Sequence, residues 1–461
     1  MEQRKADDIF ELQSRVETPL ATSLSDTKAA AETSRIPPMS VTPPGCLTFI
    51  RQKGKKARYQ PEKQTRLKNS LLVGVGFLEL ANAGDFAANV WNEIPVPIYA
   101  IVLMSIGAPL ALGMIYFAVK DAILSRRNLR GLSAERRYLQ AQRPRYEQDE
   151  QTARSLDCLL DVNFREMGTE MVDRIGMDIC MGFGAFAVGV GTYMAIGGAN
   201  PDVFEASNLL SGYIGNAPCA LYGLCNLLWS AFVWRRARRH NTAGRKEISE
   251  TQVERMLKIR ISNVQFHSAL NGITGAVAGA ASLITATMWY GYVALAPCIV
   301  VSVVANYIWR HRIGYDRLFV GQVVSFDKDA LVAELVHIDS CRQRLTKPPT
   351  EPLSELLSDP TSTACVVEFI TNNKLFEDFC IRVLKDAELS AALVGTPGET
   401  VTLTSESLAA IDNAELKGRL LKVAQAFIVE DAPKCFGYQE RSVLEMLGCY
   451  MCLPAIGEGK A

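Results

Sequence analysis

Five polar side chains interrupt the first apolar stretch of this sequence: Glu79, Asn82, Asp85, Asn89 and Asn92. Their offsets of 0, 3, 6, 10 and 13 confine them to one arc of about 140° on a helix turning about 100° per residue. A charge at the centre of a bilayer costs roughly 2.5–3.5 kcal/mol on insertion scales. Two carboxylates on one apolar helix therefore face a bundle interior, not lipid. Buried carboxylates of this kind suit proton coupling or cation binding. Glu79, nearest mid-membrane, is the sharper candidate, and Asp85 lies nearer one interface. Glu79, Asn82, Asp85 and Asn89 are thus the expected lining of a substrate or ion path. The alternative role of such a stripe is to hold helices together.

Other chemistries lack their residues. The sequence has no GxxxxGK[ST], HExxH or GxSxG pattern and no EF-hand loop, so an enzyme is not expected. His240, His267, His311 and His337 are isolated, and Cys449 and Cys452 form a lone CxxC without a second pair. No metal or cofactor is expected. Lys+Arg and Asp+Glu are 49 each, which argues against a nucleic-acid partner. Twelve cysteines in 461 residues are too sparse for a disulfide scaffold.

The elements that must position the stripe are apolar runs of membrane-spanning length, about 20 residues each. Six are expected: Leu71–Trp91, Pro97–Val119, Ile175–Gly198, Asn208–Trp234, Ser268–Tyr290 and Tyr292–Trp309. Lys and Arg crowd one side only. They precede the first run (Arg51 to Lys68) and follow the second (Arg126, Arg127, Arg130), the fourth (Arg235, Arg236, Arg238, Arg239) and the sixth (Arg310, Arg312, Arg317). The positive-inside rule puts these clusters and both termini in the cytoplasm of a plasma-membrane or endomembrane protein. The basic loops offer contacts to anionic lipid.

A motif recurs. Gly212-Tyr213-Ile214-Gly215-Asn216-Ala217-Pro218-Cys219 and Gly291-Tyr292-Val293-Ala294-Leu295-Ala296-Pro297-Cys298 both read G-Y-[I/V]-x-x-A-P-C. Asn226 and Trp229 then answer to Asn306 and Trp309, and Gly107-Ala108-Pro109 is a weaker echo. This reads as one helical hairpin used three times, with kinks at Pro109, Pro218 and Pro297 around a shared central volume. The charged signature of mitochondrial carriers, P-x-[D/E]-x-x-[K/R] in odd-numbered helices, is missing.

The expected fold class is all-α: a polytopic bundle of six spans in three repeated hairpins, with a small helical cytoplasmic C-terminal domain. The segments are a disordered tail (1–45), a basic juxtamembrane segment (46–70), hairpin 1 (71–119), a loop (120–174), hairpin 2 (175–234), a basic loop (235–267), hairpin 3 (268–310), a linker (311–352) and the helical domain (353–461). Met1–Arg15 mixes acids with bases and has no apolar core, so a cleaved signal peptide is not expected. From Gly321 onward there are 13 Lys+Arg against 21 Asp+Glu, an acidic tail behind a basic membrane face. The function expected is a small-solute transporter or channel-like protein. The alternative is a membrane-anchored scaffold or receptor-like protein whose tail binds a protein partner.

Overall fold

The apolar runs fold as helices in the computed structural model, which describes residues 45–52, 58–91, 95–248, 250–346, 353–394 and 400–454. Three short strands, β1 (Cys46–Gln52), β2 (Arg58–Pro61) and β3 (Arg66–Leu67), precede a 3-10 helix over Val73–Ala83 and a short α1 (Phe86–Val90). The bundle is α2 (Ile98–Gln142), α3 (Glu150–Gly168), α4 (Met177–Ala195), α5 (Pro201–Asn208), α6 (Asn216–Glu247), α7 (Gln252–Thr285) and α8 (Gly291–Ile308). Wider π turns at 169–176, 209–214 and 309–313 join α3 to α4, join α5 to α6, and end α8. After β4 (Arg317–Leu318) come α9 (Lys328–Thr346), α10 (Thr363–Asn372), α11 (Phe376–Val383), α12 (Ala387–Val394), β5 (Thr400–Thr404), α13 (Ser405–Ala409), α14 (Ala414–Glu430) and α15 (Ala432–Cys452).

Among the described residues, five helical segments are long and apolar enough to cross a membrane: Ile98–Tyr146, Glu150–Ala195, Pro201–Glu247, Gln252–Thr285 and Gly291–Ile313. The first runs 49 residues, about 70 Å at 1.5 Å per residue. That is more than twice a hydrocarbon core of about 30 Å, so much of it projects beyond any bilayer as a stalk. The buried face of α2 records the change. Ala100, Met104, Ala108, Ala111 and Ala118 line its apolar half, and Asp121, Ser125, Asn128, Leu132, Glu135 and Leu139 its polar half. Steps of three, four and seven keep all of these on one face. Val102, Ile106, Leu110, Tyr116 and Val119 point outward and are exposed, as a lipid-facing surface requires.

Small residues set the helix spacing. A Cβ at Gly223 of α6 would lie 2.3 Å from the Gly275 carbonyl oxygen of α7, and one at Gly107 of α2 would lie 2.4 Å from that of Gly84. Backbones this close leave no room for any side chain, so Gly275 and Gly279 serve packing.

The first apolar stretch departs from an α-helix. An 11-residue 3-10 run is long for that geometry. Its burial follows a period of three: Val75, Leu78 and Ala81 are buried, whereas Phe77 and Leu80 are exposed. At three residues per turn, Glu79 and Asn82 stack one above the other, and Asp85 follows just past the end of the 3-10 run. The prolines lie elsewhere: Pro109 and Pro297 are on the outer surface, and Pro218 is half-buried.

The fold is not wholly helical. β1 pairs antiparallel with β2 and with β5, in the order β2-β1-β5, and Phe49 faces Val401 across the pair. β3 pairs with β4. The chain before the bundle is thereby tied to the chain after it. The expected N-terminal tail lies almost wholly outside the described residues, and so do Asn92 and the Pro348–Pro352 stretch.

The C-terminal helices share one core with the stalks. Val162 of α3, Ala237 of α6 and Leu257 and Ile261 of α7 bury against a cluster that includes Phe436, Leu444 and Leu447 of α15. At its centre sits Glu445. Arg236 Nε lies 3.5 Å from its Oε1 and Arg260 Nη2 3.8 Å from its Oε2. Burial alone would raise the Glu445 carboxyl; the charges of Arg165, Arg236, His240 and Arg260 overcome this and hold it well below the usual carboxylate range. Because the folded value is depressed, its contribution is complete above the unfolded value of about 4.3 and is lost as pH falls below it. Glu445→Ala should cost ~3–5 kcal/mol by leaving buried guanidinium charge unmatched. Thermal unfolding in detergent should show this, together with wild-type stability that is flat from about pH 5 to 8 and falls below about pH 4. A wild-type loss near pH 6 would mean another group controls docking of the tail.

Candidate functional site

The row on the 3-10 helix packs against α6 and α8. Asn82 Nδ2 donates to Glu79 Oε2 at 3.0 Å, and the Cys219 thiol of α6 points at Asn82 Oδ1 from 3.7 Å. Further along, Tyr292 of α8 donates its hydroxyl to Asp85 Oδ1 at 2.8 Å. Asn89 Nδ2 in turn donates to the Tyr292 oxygen at 2.8 Å. Asp85 and Asn82 are almost fully buried. Asp85 Oδ2 is buried with no hydrogen-bond partner among the described residues. All four candidates therefore lie on one inward face. They divide into two hydrogen-bonded groups, Glu79 with Asn82 and Asp85 with Asn89 and Tyr292. Pro109, Pro218 and Pro297 are not brought into this group.

Tyr292 is the tyrosine of the repeated motif, and its counterpart behaves differently. Tyr213 is 45% exposed, whereas Tyr292 is 7% exposed. The motif's cysteines, Cys219 and Cys298, are both buried. Its downstream asparagines both bond across helices: Asn226 Nδ2 donates to the Asn271 carbonyl at 3.1 Å, and Asn306 Nδ2 to the Leu72 carbonyl at 3.1 Å.

A second buried polar group lies at the basic end of the bundle. Arg174, in the π turn after α3, donates through Nε and Nη2 to Asp121 at 3.0 and 2.9 Å. Its Nη1 reaches Glu170 at 3.0 Å. Ser125 and Asn128 of α2 also donate to Glu170, and the Leu72 amide donates to Asp121 Oδ1 at 3.1 Å. The network fastens the start of the 3-10 helix to α2 and to the π turn. Asp178, one turn on, is 3% exposed, and neither of its carboxylate oxygens has a partner among the described residues. Three acids thus surround one guanidinium.

A third network centres on Arg317. Arg317 pairs with Glu135 at 2.7 Å and with Glu166 at 2.5 Å. The Tyr315 hydroxyl completes Glu166 at 2.7 Å, and Asn163 completes Glu135 at 2.9 Å. The members of the Arg317 network lie between 28 and 185 residues apart, beyond any local sequence pattern. The only local signal was the four-residue spacing of Glu170, Arg174 and Asp178.

Comparison with known protein families, with curated proteins and with solved structures finds no match to this chain. What the fold defines is a helical protein with five helices able to cross a membrane.

The two ways of burying charge predict opposite responses. Arg174→Met strands Asp121 and Glu170 and should cost ~3–5 kcal/mol. Asp178→Asn removes a carboxylate that lacks a partner and should leave the unfolding midpoint equal or higher. Thermal melts of the purified variants decide it. A loss in Asp178→Asn as large as that in Arg174→Met would show that Asp178 has a stabilising partner.

Proposed function

We propose that this chain is a multi-pass membrane protein moving a small solute, with proton coupling through Glu79 on its polar first crossing. One observation carries the reading. The row of Glu79, Asn82, Asp85 and Asn89 packs between helices, with Asn82 and Asp85 buried and Glu79 and Asn89 half-buried, and Asp85 holds a carboxylate oxygen without a partner among the described residues. A stripe serving only as glue would satisfy its polar atoms.

Six crossings follow if the 3-10 segment crosses too. Eleven residues rise about 22 Å at about 2.0 Å each. Adding α1 brings the reach to about 30 Å, the thickness of the hydrocarbon core. The arginine clusters place the stalks, the C-terminal helices and both termini in the cytoplasm. The paired roles of Asn226 with Asn306 and of Trp229 with Trp309 support the repeated hairpin. The fused core of α15 with the stalks speaks for a tail that works with the bundle, not as a separate recruiting domain.

The test is Glu79→Gln and Asp85→Asn in reconstituted vesicles. Orientation, insertion and proton flux under a pH gradient are scored together, with and without a panel of small solutes. Normal insertion with a proton flux reduced about tenfold or more in Glu79→Gln supports the reading. Normal insertion with unchanged flux in both variants overturns it and leaves the anchored scaffold.

A further inference from the structure

The lone CxxC of the sequence gains a third thiol in the fold. Cys449 and Cys452 lie three residues apart on α15, a spacing that puts both on one helix face. Cys452 is exposed and Cys449 is buried. Cys158 of α3 is buried too, 291 residues from Cys449 in the chain. The two buried side chains cross. Cys158 Sγ donates to the Met446 carbonyl at 3.3 Å, and Cys449 Sγ lies 3.8 Å from the Cys158 carbonyl. Each sulfur therefore rests on the backbone of the other's helix, and the two thiols hydrogen-bond each other. A disulfide here asks two sulfurs already in contact to close to about 2.05 Å.

Two charged groups meet the middle thiol. Cys449 Sγ donates to Asp161 Oδ2 at 2.7 Å, and Arg236 Nη2 donates to Cys449 Sγ at 3.1 Å. Arg236 Nη1 also pairs with Asp161 Oδ2 at 2.7 Å. The Asp161 side chain is 44% exposed, so it joins the buried thiol to water. The hydrogen bond with Cys158 and burial push the Cys449 thiol up, so the resting pair is a protonated dithiol. Thiolate, not thiol, attacks a disulfide. Asp161 is placed to take the Cys449 proton, and Arg236 to hold the negative charge that forms on the sulfur. A buried cysteine that only fills space behaves as a small hydrophobe; Cys449 instead carries an acid and a guanidinium on its sulfur.

We propose that Cys452, Cys449 and Cys158 form a thiol relay that accepts oxidation from a low-molecular-weight disulfide and holds it as a Cys158–Cys449 disulfide, fastening α15 to α3. The Cys452 thiolate attacks the small disulfide RSSR, which gives a Cys452–SR mixed disulfide and releases RS⁻. Asp161 takes the Cys449 proton, and the Cys449 sulfur attacks that of Cys452 and expels the second RS⁻. The Cys158 sulfur then attacks that of Cys449, and Cys452 leaves with the Cys158 proton. In sum, two thiols and RSSR give one protein disulfide and two RSH. The protein dithiol loses two electrons and two protons, and the small disulfide gains both. The relay stands apart from the transport reading and does not depend on it.

The test uses the full-length protein in nanodiscs, equilibrated with mixtures of reduced and oxidised glutathione, quenched by alkylation and mapped by peptide mass spectrometry. The Cys158–Cys449 disulfide should accumulate as the oxidised share rises, and dithiothreitol should remove it. The unfolding midpoint of the oxidised protein should rise by about 5 °C or more, because the bond closes a long loop. Cys452→Ser should form the same bond about tenfold or more slowly, to the same final yield, since only the entry thiol is gone. Cys158→Ser keeps a hydroxyl at the contact, so a folding defect is not expected there. That variant should stop at a Cys449–Cys452 disulfide or at the glutathione adduct of Cys452. Three results overturn the proposal. One is the absence of a Cys158–Cys449 bond at every ratio, including oxidation of wild type that stops at a Cys452 adduct. Another is a bond that forms only after the protein has melted. The third is equal rates in wild type and Cys452→Ser.

Discussion

Buried charge must be matched before these helices can pack. The stalks carry acids and arginines on the same faces that carry the apolar core, because α2 continues its buried stripe from alanines into Asp121, Ser125, Asn128 and Glu135. Each such group loses its hydration on burial, and only geometry restores the loss. Arg174 with Asp121 and Glu170, and Arg317 with Glu135 and Glu166, are two such solutions, each linking segments far apart in the chain. Glu445 is a third, in which a tail helix brings the anion and the stalks α6 and α7 supply the cations. The bundle, the chain before it and the tail are consequently one charge-matched assembly. Truncating the tail would strand guanidinium groups inside the stalks.

Against that background the unmatched groups stand out. Asp85 Oδ2, both oxygens of Asp178 and Asp173 Oδ1 lack partners among the described residues, as do Asn163 Oδ1, one nitrogen of Arg236 and two of Arg260 at the edges of the ion-pair networks. The unmatched acids run along the bundle, from Asp85 on the polar row to Asp173 beside Trp229. A purely structural stripe would not be left open at several levels. The 3-10 geometry serves the same end. Three residues per turn stack Glu79 on Asn82, and Gly84, at the end of the run, meets Gly107 backbone to backbone.

Much of this was legible in the sequence, for identifiable reasons. Spacings of three fall on one side at either 100° or 120° per residue, so Glu79 and Asn82 share a side in an α-helix and in a 3-10 helix alike. The helix itself was not visible: 3-10 geometry follows from the close approach of Gly76 to Asn306 and of Gly84 to Gly107, which no local pattern encodes. The charged segments around Ser133–Gln151 and Ile248–Phe266 read as helical from the sequence, and the structure makes much of each of them part of a helix of spanning length; polarity alone does not end a helix when one face stays buried. At Arg143-Pro144-Arg145 proline and its predecessor oppose α geometry, and a 3-10 turn occupies the position. The pairing of β1 with β5 joins residues about 350 apart, beyond the reach of composition or period.

The repeated motif shows how one sequence unit can yield two environments. Its glycine, cysteine and asparagine keep their packing roles in both copies, because Gly212 and Gly291 each meet a neighbouring helix closely and both cysteines are buried. Its tyrosine does not: Tyr292 closes on Asp85, while Tyr213 faces outward. Only the copy opposite the polar row has an acid to meet. The two tryptophans converge instead. Trp229 sits inside α6, whereas Trp309 opens the π turn that ends α8, and both line one cavity of about 10 Å³. A π turn carries an extra residue of local freedom and is common at functional sites. Its presence at both Thr169 and Trp309, which with Arg165 line that cavity, puts this freedom at one junction of the bundle.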